Sequence, residues 1–271
     1  MGLVTEWVRF GNEEQYSGYF AKPDQDSDQL PAVIVLQEIW GVDAHIQDVT
    51  RRFAQAGYAA FAPELFGEKG GYKTGLDPDS VMLMRQFMDE LPHGHWQDQE
   101  KRAKALELRP ERERTSIQTT MMQMFDPAIR GTFVEAALAA SEWLHQVRPE
   151  TKGGRIGSVG FCLGGMLSAL VASRDPNLNA AVVFYGTPIS RDRLGSIACP
   201  VLGHYGELDL AITDKVPEFE EAMKELGNSI EVHIYPQTPH AFFNDGRASY
   251  RSKAAREAFA RTLSFFAEHL G

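Results

Sequence analysis

Chemistry is first legible at a cysteine with glycines two residues away on either side, Gly160-Phe161-Cys162-Leu163-Gly164-Gly165. The apolar run 156–161 before it has the character of a buried strand, and the Leu/Ala-rich run 166–172 after it that of a helix. A strand that becomes a helix within one residue needs a strained backbone there, and small neighbours so that the two arms can close. The pattern G-x-nucleophile-x-G meets that need and lifts the central side chain to the top of a sheet, at the helix N-terminus. The alternative is a structural cysteine among glycines that serve packing alone.

A thiol nucleophile needs a base, a group to orient the base, and donors for an oxyanion. After a nucleophile on such a turn, an acid and then a histidine follow along the chain. The apolar run 201–205 leads into Gly206-Glu207-Leu208-Asp209, and the run 230–235 into Pro236-Gln237-Thr238-Pro239-His240. Both motifs fall at strand carboxyl ends, the edge that also carries Cys162. In these roles His240 takes the thiol proton, and Asp209 fixes the imidazole tautomer and stabilises the imidazolium. The backbone N–H groups of Leu163 and Ile39 can face the developing oxyanion. Glu207 competes with Asp209 as orienter. His204 lies inside a strand pattern and reads as a satisfied core histidine. His93-Gly94-His95 has ligand-like spacing but no partner pair of the usual kind, so it reads as a loop. The turn at 160–165 departs from G-x-G-x-x-G, so no dinucleotide cofactor is expected.

The elements that must position these residues alternate. Residues 4–10 and 17–21 read as an opening hairpin, and 31–36 as a central strand ending in Gln37-Glu38-Ile39-Trp40-Gly41. The carboxyl ends of such strands are where open sheets place a binding crevice. A helix over 45–55 and a strand over 58–63 follow. From 65 to 128 the pattern loosens into glycines and amphipathic segments bearing Met82, Met84, Met88, Met121, Met122 and Met124. This segment is expected to form a cap-like elaboration, its methionines either an adaptable surface or the packing of extra helices. The charged stretch 101–114 reads as a solvated helix face. Helices over 132–146, 163–173, 217–226 and 252–270 alternate with strands at 156, 180–185, 200–205 and 230–235. The expected fold class is α/β, a single domain over 1–271 with a mostly parallel sheet and helices on both faces.

At these motifs, with Pro239-His240-Ala241-Phe242, the chain resembles the dienelactone hydrolase family of the α/β-hydrolase fold. The resemblance implies a triad of Cys162, His240 and Asp209 without metal, and a glutamate, here Glu38, that interacts with the thiol and helps to ionise it. It implies hydrolysis of a small ester or lactone through an acyl-enzyme, the family type reaction being the opening of a carboxylate-bearing unsaturated lactone to maleylacetate. Where the family type has a substrate-binding serine after the histidine, this chain has Ala241, a departure that bears on the natural lactone. Broad-specificity ester hydrolysis and a non-catalytic binding role are the alternatives. For Glu38, the expectation is a latch that accepts a hydrogen bond from the resting thiol and takes its proton when substrate displaces the carboxylate, with burial near Trp40 raising its basicity. The competing role is a strand-end anchor through backbone hydrogen bonds.

The 271 residues are 43% hydrophobic and carry a formal net charge of −10, which argues against a nucleic-acid partner. Two cysteines, Cys162 and Cys199, give no disulfide framework, and Cys199 reads as a core residue. No leader, myristoylation pattern or membrane-length apolar stretch is visible. A cytoplasmic setting is expected, and a free thiolate suits it.

Overall fold

The computed structural model describes residues 2–24, 29–92, 95–96 and 98–271. It opens with an antiparallel pair, β1 (Leu3–Phe10) and β2 (Tyr16–Pro23), joined through a 3-10 turn at Asn12–Glu14. β3 (Ala32–Leu36), α1 (Ala44–Gln55) and β4 (Ala59–Pro63) follow. Every residue of β3 and β4 is buried, as a continuous apolar run covered on both faces requires. The short pair β5 (Gly67–Glu68) and β6 (Gly71–Tyr72) leads to three helices, α2 (Pro78–Glu90), α3 (Gln99–Glu107) and α4 (Glu111–Phe125). Then come α5 (Pro127–Gln146), β7 (Ile156–Phe161), α6 (Leu163–Ala172), β8 (Ala180–Phe184) and α7 (Arg191–Leu194). The chain closes with β9 (Val201–Gly206), α8 (Leu210–Thr213), α9 (Val216–Glu225), β10 (Ile230–Tyr235) and α10 (Ser252–Leu270).

The main sheet runs β1-β2-β4-β3-β7-β8-β9-β10. From β4 across to β10 each neighbouring pair is parallel, and the antiparallel pairings are confined to the β1-β2-β4 edge. One apolar layer lies between the sheet and α5, α6 and α9, including Phe133, Leu144, Leu167 and Phe219. The other lies beneath α1 and α10, including Val49, Phe53, Ala258 and Phe266. This is the expected α/β arrangement, and it brings the carboxyl ends of β3, β7, β8, β9 and β10 to one edge.

Two features differ from the sequence reading. α5 begins at Pro127, five residues before the expected 132: Asp126 caps it by accepting the Ala128 N–H at 2.7 Å, and Pro127 occupies the first turn. The regular apolar periodicity starts only at Phe133, one turn after Ile129 first packs against the core, so it marks the fully buried part of the helix rather than its start. The methionines of the 65–128 segment also divide. Met84 and Met124 are fully buried, whereas Met82 and Met122 are 52% and 66% exposed. Met84, Phe87, Leu106 and Ile117 form a separate apolar cluster of α2–α4, with Trp40 and Trp96 packed against it. No helix among the described residues is long and apolar enough to cross a membrane.

Candidate active site

Cys162 stands between β7 and α6 with φ +55° and ψ −112°, its N–H donating to the Phe184 carbonyl at 3.0 Å. The flanking glycines are demanded by contact. A Cβ on Gly160 would lie 1.8 Å from the Gly164 carbonyl oxygen, and one on Gly164 would lie 2.2 Å from that of Leu36. The turn therefore closes on itself and against the end of β3, leaving the thiol half-buried at the sheet edge.

Asp209 follows β9 and His240 follows β10. The His240 Nδ1 and Asp209 Oδ2 are 2.6 Å apart, with the Asp209 side chain 10% exposed. Nε2 is the ring nitrogen left to face Cys162. Burial of the imidazole works against its charge, but hydrogen bonds to Asp209 and Cys162, and their negative charges, outweigh it and push His240 up to about 10. The aromatic ring of Tyr185 packs edge-on against the imidazole, with centroids 5.0 Å apart. Glu207 is exposed and its carboxylate accepts the Gln237 N–H at 2.8 Å, so it braces the loop while Asp209 holds the histidine. Neither the Ile39 nor the Leu163 N–H donates to an acceptor among the described residues.

Glu38 is 3% exposed. The thiol-to-Glu38 hydrogen bond expected of a latch is not formed among the described residues. Instead the Tyr185 hydroxyl donates to Oε1 at 3.1 Å and the Asn244 amide to Oε2 at 2.7 Å. The carboxylate is thus held by two neutral side-chain donors, and a strand-end anchor through backbone hydrogen bonds is not formed among the described residues either. Buried Tyr185 has its phenol pushed well above its ordinary value by burial and by the nearby charges of Glu38 and Cys162. The guanidinium groups of Arg85 and Arg247 lie 5.7 and 5.4 Å from the Trp40 ring.

Other candidates fall outside this group. His204 is fully buried, its nitrogens 3.1 Å from the Thr262 hydroxyl and 3.0 Å from that of Tyr235, and burial holds its pKa well below the usual value. Cys199 is 6% exposed and burial pushes its thiol up to about 12. His93 lies outside the described residues and His95 is in a turn. Tyr185, Asn244 and Arg130 are near the site and were not singled out in the sequence. Tyr185 follows a readable strand and so had a positional signal. Asn244 meets Glu38 across 206 residues, which no local pattern encodes. Arg130, in the first turns of α5, is half-buried and lies over Phe125. Burial depresses its pKa and the charge of Cys162 opposes that.

The backbone at this edge is unusual. Cys162, Tyr185, Gln237 and Ala241 all have positive φ, at +55°, +40°, +53° and +57°. They follow β7, β8 and β10 and bracket the thiol and the imidazole.

The dienelactone hydrolase family model matches residues 16–270. A protein of Yersinia pestis provisionally named carboxymethylenebutenolidase is 29% identical, the match covering 94% of this chain and 85% of that protein. One from Escherichia coli with the same provisional name is 31% identical, over 93% and 82%. Among solved structures, a protein provisionally named dienelactone hydrolase from Klebsiella pneumoniae superposes with a TM-score of 0.74 at 27% identity, covering 99% of this chain and all of that one. With the family model spanning nearly the whole chain and the sheet and helices arranged as in that relative, the protein belongs to the dienelactone hydrolase family and is a hydrolase of carboxylic ester bonds.

Proposed function

We propose that the protein cleaves a small ester or lactone through a thioester acyl-enzyme on Cys162. The observation that supports this reading is the 2.6 Å contact of His240 Nδ1 with Asp209, which leaves Nε2 free for the Cys162 thiol. His240 Nε2 takes the thiol proton, and the thiolate adds to the substrate carbonyl. The Ile39 and Leu163 amides hold the oxyanion, and Asp209 stabilises the imidazolium. The tetrahedral adduct then expels the alkoxide, which takes the proton from His240. For a lactone that alkoxide remains tethered to the acyl group. Water, deprotonated by His240, opens the thioester, and the adduct's collapse returns the thiol. Glu38 contributes negative potential beside the thiol and, once freed from Tyr185 and Asn244, a second proton acceptor. The helices of the 65–128 segment serve as a cap through Trp40. A free thiol nucleophile suits a reducing compartment such as the cytoplasm.

Cys162→Ala is expected to abolish turnover of p-nitrophenyl esters while the far-UV spectrum and melting temperature are kept, with Cys199→Ala at the parental rate. Iodoacetamide should label one cysteine per chain at neutral pH, because a thiol held up to about 12 stays protonated. A Cys162→Ala variant that retains most of its activity excludes this thiol as nucleophile. The substrate class is read from lactones and esters of graded length, with and without a carboxylate. Arg130, a half-buried cation with no ion-pair partner among the described residues, favours the carboxylate-bearing members.

A further inference from the structure

The loop that carries Glu38, Ile39 and Trp40 is pinned to the neighbouring loop at both ends. At the first, the Leu65 N–H donates to Gln37 Oε1 at 3.1 Å. At the second, the Val42 N–H donates to Glu64 Oε2 at 3.1 Å, while Oε1 of the same carboxylate accepts the Phe66 N–H at 3.1 Å. Glu64 follows β4, is 5% exposed, and has no part in the chemistry described above. Gly41, between Ile39 and Val42, has φ +78°, and a Cβ there would lie 3.4 and 3.5 Å from the two Glu64 oxygens. The loop behind the carboxylate is itself tied down: Lys73 Nζ donates to the Leu65 and Gly67 carbonyls at 2.9 and 2.7 Å. On the outer side lies a cavity of about 390 Å3 lined by Trp40, Gly41, Val42, Glu64 and Phe66. The carboxylate's hydrogen bonds are thus the polar ties that join this loop to its neighbour on the cavity side, beside the packing of Ile39, Trp40 and Val42 against the apolar cores.

We propose that Glu64 is a positioning residue for the oxyanion site: by gripping the Val42 and Phe66 amides in one carboxylate it fixes the stretch between Gln37 and Val42, and with it the direction of the Ile39 N–H. The proposal rests on the reading of Ile39 and Leu163 as oxyanion donors. An oxyanion donor acts only when it already points to where the negative charge forms, so a loop released at one end loses rate at the chemical step and little in ground-state binding. Glu64→Gln is nearly isosteric but turns an N–H donor toward one of the two amides. It leaves the Cys162–His240–Asp209 group untouched.

The test combines ester turnover with alkylation of Cys162 by iodoacetamide, a displacement at a saturated carbon that needs a reactive thiol but no oxyanion donor. Glu64→Gln should lower kcat for a p-nitrophenyl ester by about 10- to 100-fold, with KM within about threefold and the alkylation rate within about twofold of the parent. Gly41→Ala, which strains the same joint from the other side, should reproduce that signature if Glu64→Gln folds poorly. Glu68→Gln, exposed on the adjoining strand, should match the parent. The proposal is overturned if a folded Glu64→Gln, or Gly41→Ala where Glu64→Gln folds poorly, keeps the parental kcat, or if alkylation falls in parallel with kcat, the mark of a residue that only supports the fold. A parent enzyme that keeps turning over after Cys162 is alkylated would overturn the nucleophile and the clamp together. A parent inactivated by alkylation, with an unaffected Glu64→Gln, overturns the clamp alone.

Discussion

The titration of one side chain carries much of what this site can do. His240 is held near 10 by Asp209 and Cys162, against a reference near 6.5 for an unfolded chain. A group whose folded pKa is raised stabilises the fold fully below its unfolded value and loses that contribution as pH rises through the folded one. The melting temperature of the parent minus that of His240→Gln should therefore be at its largest below about pH 6.5 and narrow as pH passes 10. A gap that stays constant from pH 7 to 11 contradicts the raised pKa. Cys162, Asp209 and His240 were legible because each lies within a few residues of an apolar run whose end is marked by glycine or proline. Glu38 was legible as a position, but its partners were not. Tyr185 and Asn244 reach it across 147 and 206 residues, and only the closed sheet brings them together. The replacement of a thiol bond by these two donors is the main departure from the sequence reading.

Between β7 and α6, geometry limits the sequence more tightly than chemistry does. Gly160→Ala would drive a Cβ to 1.8 Å from a backbone oxygen, a clash that no rotamer relieves, and should cost about 3 kcal/mol or more by urea unfolding. Cys162→Gly should have the opposite sign. A non-glycine residue at such a φ and ψ costs about 1–3 kcal/mol, so glycine should raise stability by about 1 kcal/mol after its own entropic penalty, with turnover lost. A lower urea midpoint for Cys162→Gly would mean that the thiol's contacts outweigh the backbone strain. Most elements were readable at this scale because apolar runs and alternating helices mark them. The misplaced start of α5 shows the limit: its first turn is fixed by Asp126 and Pro127, a capping signal outside the periodic stretch.

Across the whole molecule the sheet acts as a frame that keeps a costly edge in place. The loop after β10 joins distant parts: Asn244 grips Glu38, Asp245 lies against His45 and Arg52, and Arg247 pairs with Asp89 of α2 at 3.1 Å. Sheet topology and the two helical layers followed from the alternation of runs, whereas the packing of α2–α4 around Trp40 did not, because their apolar faces meet one another as well as the sheet. The four positive-φ residues around the thiol and the imidazole are conformations that an unconstrained chain would abandon. On warming, the edge should therefore relax while the strands beneath it are still paired, since regions of low local stability open first. Ester turnover should fail several degrees below the melting of the far-UV signal and return on cooling from that interval. If the two losses coincide, the edge and the frame melt as one unit. The interval between them is a temperature range in which the protein is folded but switched off, and its width measures how much order the active edge borrows from the sheet.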